Sequence, residues 1–560
     1  MNSTPDPDPT LVREPEPAPG EYTHQQIVRI IGGLMLAMFL GALDQTIVST
    51  SIRTIADDLH GLSAQAWVTT AYLITSTITT PIYGKLGDLY GRKKLFMFAI
   101  TVFIIGSALC SFATSMYQLA AFRAFQGLGA GGLFTLVLAI IGDIVSPRER
   151  ARYTGYFMAT FGASSVLGPV VGGLLAGTDT ILGITGWRWV FLVNVPIGIV
   201  ALVVIFRTLH VHHVRRPSRI DWMGALALCL CLVPLLTVLE QGRGWGWSSP
   251  RSVTCFVLAA LGLVLFVAAE AYMRDAALIP LSLFRIRPAA ITIVASVIVG
   301  MGMFGAMMLL PLYMQIVHGA TPTQSGFLML PMVAGLMSAS VTSGRIISRT
   351  GRTRTFPIVG SALMAVGMFA LTTISADTHL WIVMLMMLVV GYGVGNCMQP
   401  LVLTVQSSVP PSSIGVATSA ATFFRQIGGT IGVAVFLSML FGGVGADISH
   451  AFDDAKPQIA ALAQDPSYQP TAVDRRVLAG DRSVFAEVQD DSSIIDQMSP
   501  VLAHPFKAGF ADSISSVFWV SGSLGVLAFG VLLLMPEVEL RQQSASAAAA
   551  AERARSEAGE

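Results

Sequence analysis

Apolar residues run for about twenty positions at a time, break at short polar stretches, and repeat this pattern along most of the chain. Runs of that length match a bilayer core of ~30 Å crossed at 1.5 Å per residue, so they predict membrane-spanning helices. Fourteen are legible, near 27–50, 66–84, 95–112, 117–141, 153–176, 189–207, 221–240, 252–272, 289–312, 326–345, 356–375, 380–405, 415–443 and 511–535. The expectation is an all-α integral membrane protein with fourteen transmembrane helices.

The breaks carry two related stretches. "GKLGDLYGRKK" begins at Gly84 between spans two and three, and "GRIISRTGRTR" begins at Gly344 between spans ten and eleven. Both place Gly-Arg seven residues after the first Gly, while Asp88 is answered by Ser348. The match relates six spans at the start to six at the end and leaves spans seven and eight as an inserted pair. Two six-helix bundles in parallel repeat, plus two extra helices, are a transporter architecture. The expected organisation is a disordered tail over 1–26, an N-terminal bundle over 27–207, a linker with two spans over 208–288, a C-terminal bundle over 289–535 and a tail over 536–560. Within the C-terminal bundle, 444–510 reads as a long outer loop with ten acidic and five basic residues.

Basic residues orient the spans. With the N-terminus inside, eighteen fall in cytoplasmic connections, from Lys85 and Arg92 to Arg352 and Arg354, against Arg53, Arg188, Arg243 and Arg251 outside. This positive-inside asymmetry implies that both termini are cytoplasmic. Long loops translocate regardless of charge, so 444–510 does not contradict it.

Composition narrows the chemistry. The chain is 53% hydrophobic and 12% charged, whereas soluble domains carry about 25% charged residues. A net charge of +1 implies no nucleic-acid partner. The five cysteines lie in apolar runs, and Cys229 and Cys231, two apart on a helix, point to different faces, so no metal site is expected. No P-loop, G-x-S-x-G elbow or H-E-x-x-H occurs, and neither enzyme chemistry nor a cofactor is predicted. "GLGAGG" at 127–132 has dinucleotide-loop spacing but sits in an apolar run with no preceding strand, so it reads as close helix packing. "HVHH" at 210–213 lies among arginines at a membrane edge and reads as a cationic rim. No basic stretch ahead of a short apolar segment marks a signal peptide.

The motifs that remain are specific. In "GKLGDLYGRKK", Gly84 and Gly91 permit a tight turn, Asp88 can cap a helix or pair with an arginine, and Arg92 can anchor in headgroups. This loop resembles the signature of the major facilitator superfamily. "RAFQGLGAGG", with Arg123 and Gln126, resembles the superfamily's helix-four motif. "GASSVLGPVVGG", with Gly168, Pro169, Gly172 and Gly173, resembles the helix-five motif of its antiporter branch. "LDQTIVST", "WRWVFLVNVPIG", "DWMG", "LPLYMQ", "FRQIGGTIGVA" and "MPEVEL" are similar to the fourteen-helix drug:proton antiporters of EmrB/QacA type. The chain departs from that pattern after helix one, where Ser49 and Ser51-Ile52-Arg53 replace an Asn and Ala-Leu-Pro. The resemblance implies a major facilitator fold and a proton-coupled exporter of hydrophobic, cationic compounds in a bacterial plasma membrane. Its partners would be a small-molecule substrate, protons and the lipid bilayer, with an accessory extracytoplasmic protein as a further possibility. The rival reading is export of an endogenous lipid, siderophore or antibiotic on the same scaffold.

Asp44 is the outlying charge. Fifteen residues separate it from Arg29, about 22 Å of helix, which places it in the outer half of the membrane. A carboxylate there costs at least ~2.5–3.5 kcal/mol on insertion scales and must face a cavity or a partner. Arg123 is the natural partner, and the resemblance implies that the pair serves proton coupling at a substrate cavity. Arg425 in "FRQIGG" is expected to face the interior of the C-terminal half, and Glu270 to snorkel or pair with Arg274. The topology is testable: a reporter fused within 460–500 should be active outside and one at 212–218 inside. A cytoplasmic signal from the first would break the count of fourteen.

Overall fold

The computed structural model describes residues 23–60, 65–209, 221–410, 413–464, 468–481, 483–490, 492–538 and 540. The tail through residue 22, the HVHH segment with Arg215, Arg216 and Arg219, and the tail beyond 540 lie outside the described residues.

Six crossings are made by α1 (His24–Asp58), α2 (Gln65–Tyr90), α3 (Arg92–Ser111), α4 (Met116–Ile144), α5 (Pro147–Ala176) and a broken helix, α6 (Trp189–Leu192) with α7 (Asn194–Thr208). A two-residue hairpin, Thr180–Ile181 with Ile184–Thr185, precedes α6. Then come α8 (Trp222–Trp245) and α9 (Pro250–Met273). The second set starts with α10 (Arg287–Ile316), a broken helix made of α11 (Pro322–Leu328) and α12 (Leu330–Thr350), and α13 (Thr355–Leu371). It continues with α14 (Leu380–Ser407), α15 (Ile414–Gln464), the short α16 (Ala472–Leu478) and α17 (Ser483–Asp490), and α18 (Pro500–Leu533). The face rich in Lys and Arg is called the inner face below.

Among the described residues, eleven helices are long and apolar enough to cross a membrane on composition alone, and Thr160–Ala176 and Thr355–Leu371 are shorter apolar helices. The remaining crossing, α2, is diluted by threonines. Thr75, Thr79 and Thr80 return their hydroxyls to the carbonyls of Ala71, Thr75 and Ser76 at 2.9–3.0 Å. Those hydroxyls therefore need no water, which makes the segment compatible with a bilayer.

One core cluster joins α1 to α4 with α5 and α7, built on residues such as Leu34, Phe103, Leu133 and Ile205. A second joins α10, α12 to α15 and α18 around Tyr313, Met364, Met387 and Phe510. Helix α8 packs on α2 and α15 through Leu228, Leu232, Ile74, Ile78 and Phe423. Its partner α9 turns Val257, Leu261 and Val264 outward, an apolar surface suited to lipid.

Small residues set the spacing. On α4, a Cβ added at Gly127 or Gly131 would strike the Tyr72 or Ser76 carbonyl of α2, and one at Gly129 the Ala99 carbonyl of α3. The "GLGAGG" run thus lets α4 lie against two helices at once, as packing requires. The repeat is visible in the backbone too: Gly91 and Gly351 occupy equivalent positions, and both have positive φ, 94° and 72°. That conformation ends one helix and starts the next at a cost only glycine escapes.

The expectation of a long loop over 444–510 is corrected. Helix α15 has 51 residues, continues to Gln464, and α18 begins at Pro500. Ile448, Ala455, Ile459 and Leu462 recur at helical spacing, an amphipathic pattern that a search for bilayer-length apolar runs passes over. Ile448, Ile459 and Leu462 pack with Val484, Val488, Ile495 and Phe506 into a helical cap, where Phe452 meets Phe506 edge-on at 5.0 Å between centroids. Asp474 ties the cap together by accepting the N–H groups of Thr471 (3.1 Å) and Ser499 (2.9 Å). Burial opposes its charge, but these N–H groups prevail and hold the carboxyl below its usual range. A depressed value stabilises the cap fully above the ordinary carboxylate pKa, and the contribution is lost as pH falls from there through the lower value of the folded protein.

The packing yields a paired test. Gly129→Ala would drive a Cβ to 2.5 Å from the Ala99 carbonyl and should cost about 1–3 kcal/mol, read as a lower melting temperature in detergent. Gly32→Ala meets nothing within 4 Å and should be neutral or stabilising by a few tenths of a kcal/mol, up to about 1. Equal behaviour would mean that the α3–α4 contact is looser than described.

Candidate functional site

Asp44 on α1 is wholly enclosed, 0% exposed, and Arg123 on α4 is 1% exposed. Arg123 Nη1 donates to Asp44 Oδ2 at 2.6 Å. The other oxygen, Oδ1, accepts from Gln126 Nε2 at 2.9 Å and from Asn194 Nδ2 at 2.8 Å. Arg123 Nη1 also donates to Gln126 Oε1 at 2.8 Å, and the guanidinium lies 4.0 Å over the Tyr72 ring of α2. Asn194 is the first residue of α7 and donates in addition to Ser107 Oγ of α3 at 3.0 Å. Five elements of the N-terminal half therefore meet at one carboxylate.

The cavity-facing position expected for Asp44 and Arg123 is corrected: they are closed in among α1, α2, α4 and α7. The reason is saturation. Three donors occupy both carboxylate oxygens, so the charge is compensated without water, and only such geometry repays the several kcal/mol per ion that burial costs. Sequence reasoning assigned Gln126 here but missed Asn194, Tyr72 and Ser107. A lone Asn inside the apolar run "WRWVFLVNVPIG" was the available signal, since an amide in hydrocarbon seeks a partner.

At the inner face, Asp88 bridges the two halves. Its Oδ2 accepts the Val416 N–H at the start of α15 at 3.0 Å, while Oδ1 accepts from Arg92 Nη2 at 2.9 Å. It is cap and ion-pair partner together. Arg92 reaches further, to Asp143 of α4 at 3.0 Å and to the Ala139 carbonyl. Gly84 and Gly415 make the approach possible: a Cβ at Gly84 would lie 2.2 Å from Ser419 Oγ, and one at Gly415 2.2 Å from Asp88 Oδ1. The second copy of the motif has no such reach, because Ser348 bonds to the Arg345 carbonyl on its own helix. There Glu537 of "MPEVEL" takes the capping part, accepting the Thr353 N–H at 2.9 Å beside the start of α13.

A sequence profile described as Major Facilitator Superfamily matches residues 34–433. The chain belongs to the Major Facilitator Superfamily. It is 33% identical over 495 residues to the multidrug transporter protein MdtP of Bacillus subtilis (strain 168), covering 88% of this chain and 89% of that one. It is 33% identical over 479 residues to multidrug resistance protein 3 of the same organism, covering 85% and 91%. The solved structure of the proton:xylose symporter XylE bound to 6-bromo-6-deoxy-D-glucose shares the fold, with a TM-score of 0.58 at 14% identity over 94% of this chain and 100% of that one. The protein is a multi-pass membrane transporter and not an enzyme. The fourteen crossings among the described residues and these relatives agree with the drug:proton antiporter branch that the motifs resemble.

In this transporter the helix-five glycines and proline divide their work. Gly168 and Gly172 face α1 just beyond Asp44: an added Cβ would lie 2.0 Å from Thr46 Oγ1 and 2.9 Å from the Ile47 carbonyl. Thr46 Oγ1 and Ser51 Oγ donate to the Ser164 and Gly172 carbonyls, at 3.0 and 3.2 Å. Pro169 and Gly173 face the other half, toward Gly326 and Thr323 near α11. One helix thus touches the helix of Asp44 on one side and the opposite bundle on the other.

Two further charges complete the interior. Arg425 lies on α15 beside Gly300 of α10, and its neighbour Gln426 accepts from Thr80 of α2 at 3.3 Å across the seam between the halves. The expected snorkelling or Arg274 pairing of Glu270 is corrected. Glu270 is 1% exposed and accepts the Ile279 N–H at 3.1 Å, so it pins the buried strap between α9 and α10. Arg274 instead caps α9 with φ 49°.

The inner latch predicts a kinetic defect. Asp88→Asn keeps the shape but weakens the Arg92 pair and the cap on α15. It should express and bind cargo while turning over at least about tenfold more slowly, as expected when an interaction specific to one conformation is lost. Unchanged turnover with unchanged coupling would show that Asp88 has no part in switching.

Proposed function

We propose that this protein is a proton-coupled antiporter that exports hydrophobic compounds across a bacterial plasma membrane, with both termini in the cytoplasm. The observation that carries the reading is the enclosed Asp44 with Arg123, Gln126 and Asn194, a fully buried carboxylate deep in the N-terminal bundle. A proton on Asp44 would cancel the attraction to Arg123 and oblige α1, α4 and α7 to rearrange, so titration and helix position are linked. The names of the two Bacillus relatives support multidrug cargo and outward transport. A membrane potential contributes about 2.3 kcal/mol per charge per 100 mV, enough for proton entry to drive uphill export.

A cationic cargo would have to displace Arg123 from Asp44 to compete with the proton directly. Both carboxylate oxygens are occupied, so direct competition requires the network to open first. The charge of the cargo is therefore a separate question from the coupling.

Purified protein in proteoliposomes decides the coupling. A proton gradient directed out of the vesicles should drive uptake of a hydrophobic fluorescent compound such as ethidium or 2-naphthoate. Asp44→Asn retains the shape but cannot titrate, and should reduce gradient-driven uptake by more than tenfold while the protein still folds. Asp44→Glu, displaced by about one methylene, should retain partial activity. Undiminished uptake by the Asn variant would place proton coupling elsewhere.

A further inference from the structure

Arg425 is eleven residues into α15 from Ile414, about 16 Å along the helix and therefore at membrane depth. Its backbone is pressed against α10, where a Cβ at Gly300 would lie 2.3 Å from the Arg425 carbonyl and 3.2 Å from its Cγ. The side chain is partly accessible, and the next residue, Gln426, faces the seam between the halves. Among the described residues no carboxylate, carbonyl or hydroxyl accepts a hydrogen bond from its guanidinium. Charges at this depth pair with one another or with backbone, or else mark a substrate path. Arg425 does the last.

The surrounding charge balance has one sign. From Arg287 to Ala446 the sequence holds a single carboxylate, Asp377, and it lies in the connection between α13 and α14, outside the membrane-spanning segments. In the N-terminal half, Asp44 is already neutralised by Arg123. Glu270 of α9 is held by the Ile279 N–H, so among the described residues deep in the two bundles the guanidinium left without a counter-charge is that of Arg425. Aromatic residues lie near it along the chain: the preceding Phe424 meets Phe284 and Phe423 edge-on, at 5.8 and 5.3 Å between centroids. Phe304 of α10 packs on Gly429, one turn further along α15.

We propose that Arg425 is the charge-recognising group for cargo, and that the transporter takes hydrophobic organic acids, with the carboxylate on Arg425 and the apolar body against the aromatic residues. A planar guanidinium presents a fork of donors that matches a carboxylate in two parallel hydrogen bonds. The inference rests on the exporter reading above and narrows it to an anionic cargo class. It replaces the cationic preference expected from the family resemblance.

Two probes with one ring system and opposite charge test it: 2-naphthoate and naphthyl-trimethylammonium, with the purified full-length protein. Wild type should bind naphthoate at least tenfold more tightly than the cation. Arg425→Gln should lose that preference through weaker naphthoate binding, with cation binding unchanged or improved. Arg425→Lys keeps the charge and should retain the preference for the anion, which separates loss of charge from loss of fold. Reconstituted protein adds a readout of charge movement: exchanging one proton for one organic anion moves two charges, and exchanging it for one organic cation moves none. A current driven by naphthoate with a pH gradient supports the assignment. Tighter cation binding, an anion preference that survives in Arg425→Gln, or an anion preference lost in Arg425→Lys overturns it. If the gradient pumps the cation and not naphthoate, the exporter reading stands and Arg425 is not the cargo site. If it moves neither, both readings fall.

Discussion

The carboxylate of Asp44 constrains everything around it, because a charge in hydrocarbon must be fully compensated or must give up its ionisation. Desolvating a carboxylate and a guanidinium costs several kcal/mol each, and a single Coulombic contact does not reliably return it. What returns it here is geometry: one short ion pair, two amide donors on the remaining oxygen and an aromatic ring under the cation. Arg123 and Gln126 come from α4, Asn194 from α7 and Tyr72 from α2, so satisfying one charge on α1 fixes the relative depth and rotation of four helices. The polar centre specifies the bundle; the apolar core, whose residues would pack nearly as well after a small slip, does not.

That specification depends on close approach. Gln126 can reach Asp44 because Gly106 lets α3 sit against the Gln126 backbone, where a Cβ would be only 2.5 Å away. Gly127 and Gly131 bring α2, and with it Tyr72, to the other side of α4. Without a hydrophobic drive between helices in lipid, such contacts and the hydrogen bonds they permit supply much of the association. The inner latch repeats the principle on a switchable surface. Gly84 and Gly415 remove the side chains that would hold α2 and α15 apart, and Asp88 then occupies the positive end of α15. A contact made of caps and ion pairs can be exchanged for water when the halves part, whereas an apolar one could not be broken as cheaply.

Most of the fold was legible because bilayer length, basic asymmetry and the Gly-Arg repeat are properties of local sequence. The pairing of Asp44 with Arg123 was legible too, since a lone carboxylate and a lone guanidinium in lipid have few other choices. Asn194 was not: its contact joins residues 150 positions apart, and one Asn in an apolar run does not announce its partner. Glu270 misled for a related reason. The i+4 spacing to Arg274 suggested a local pair, but the helix ends at Arg274, and the carboxylate found a backbone N–H across a turn. The 444–510 segment was read as a loop because its helices are amphipathic rather than apolar throughout. They bury one face against α18 and leave the other to water.

If cargo charge is read by Arg425 and protons by Asp44, as proposed above, the two ligands occupy different halves, and this decides what kind of coupling is available. Neutralising Asp44 leaves Arg123 uncompensated and makes the interior more positive, which favours an organic anion. Electrostatics alone would then promote joint binding, whereas antiport requires that proton-loaded and cargo-loaded forms reorient separately. Exclusion must therefore come from conformation. Helix α5 is built to impose it: Gly168 and Gly172 rest on α1 beside Asp44, and Pro169 and Gly173 rest on α11 and its approach in the other half. A shift of α1 on protonation would change the surface that α5 presents across the seam, and a cargo bound at Arg425 would act on the same seam from the other half. On that proposal, a seam able to close around only one of these changes at a time would make the proton and the anion exclude each other through the packing of α5, without sharing a single atom of contact.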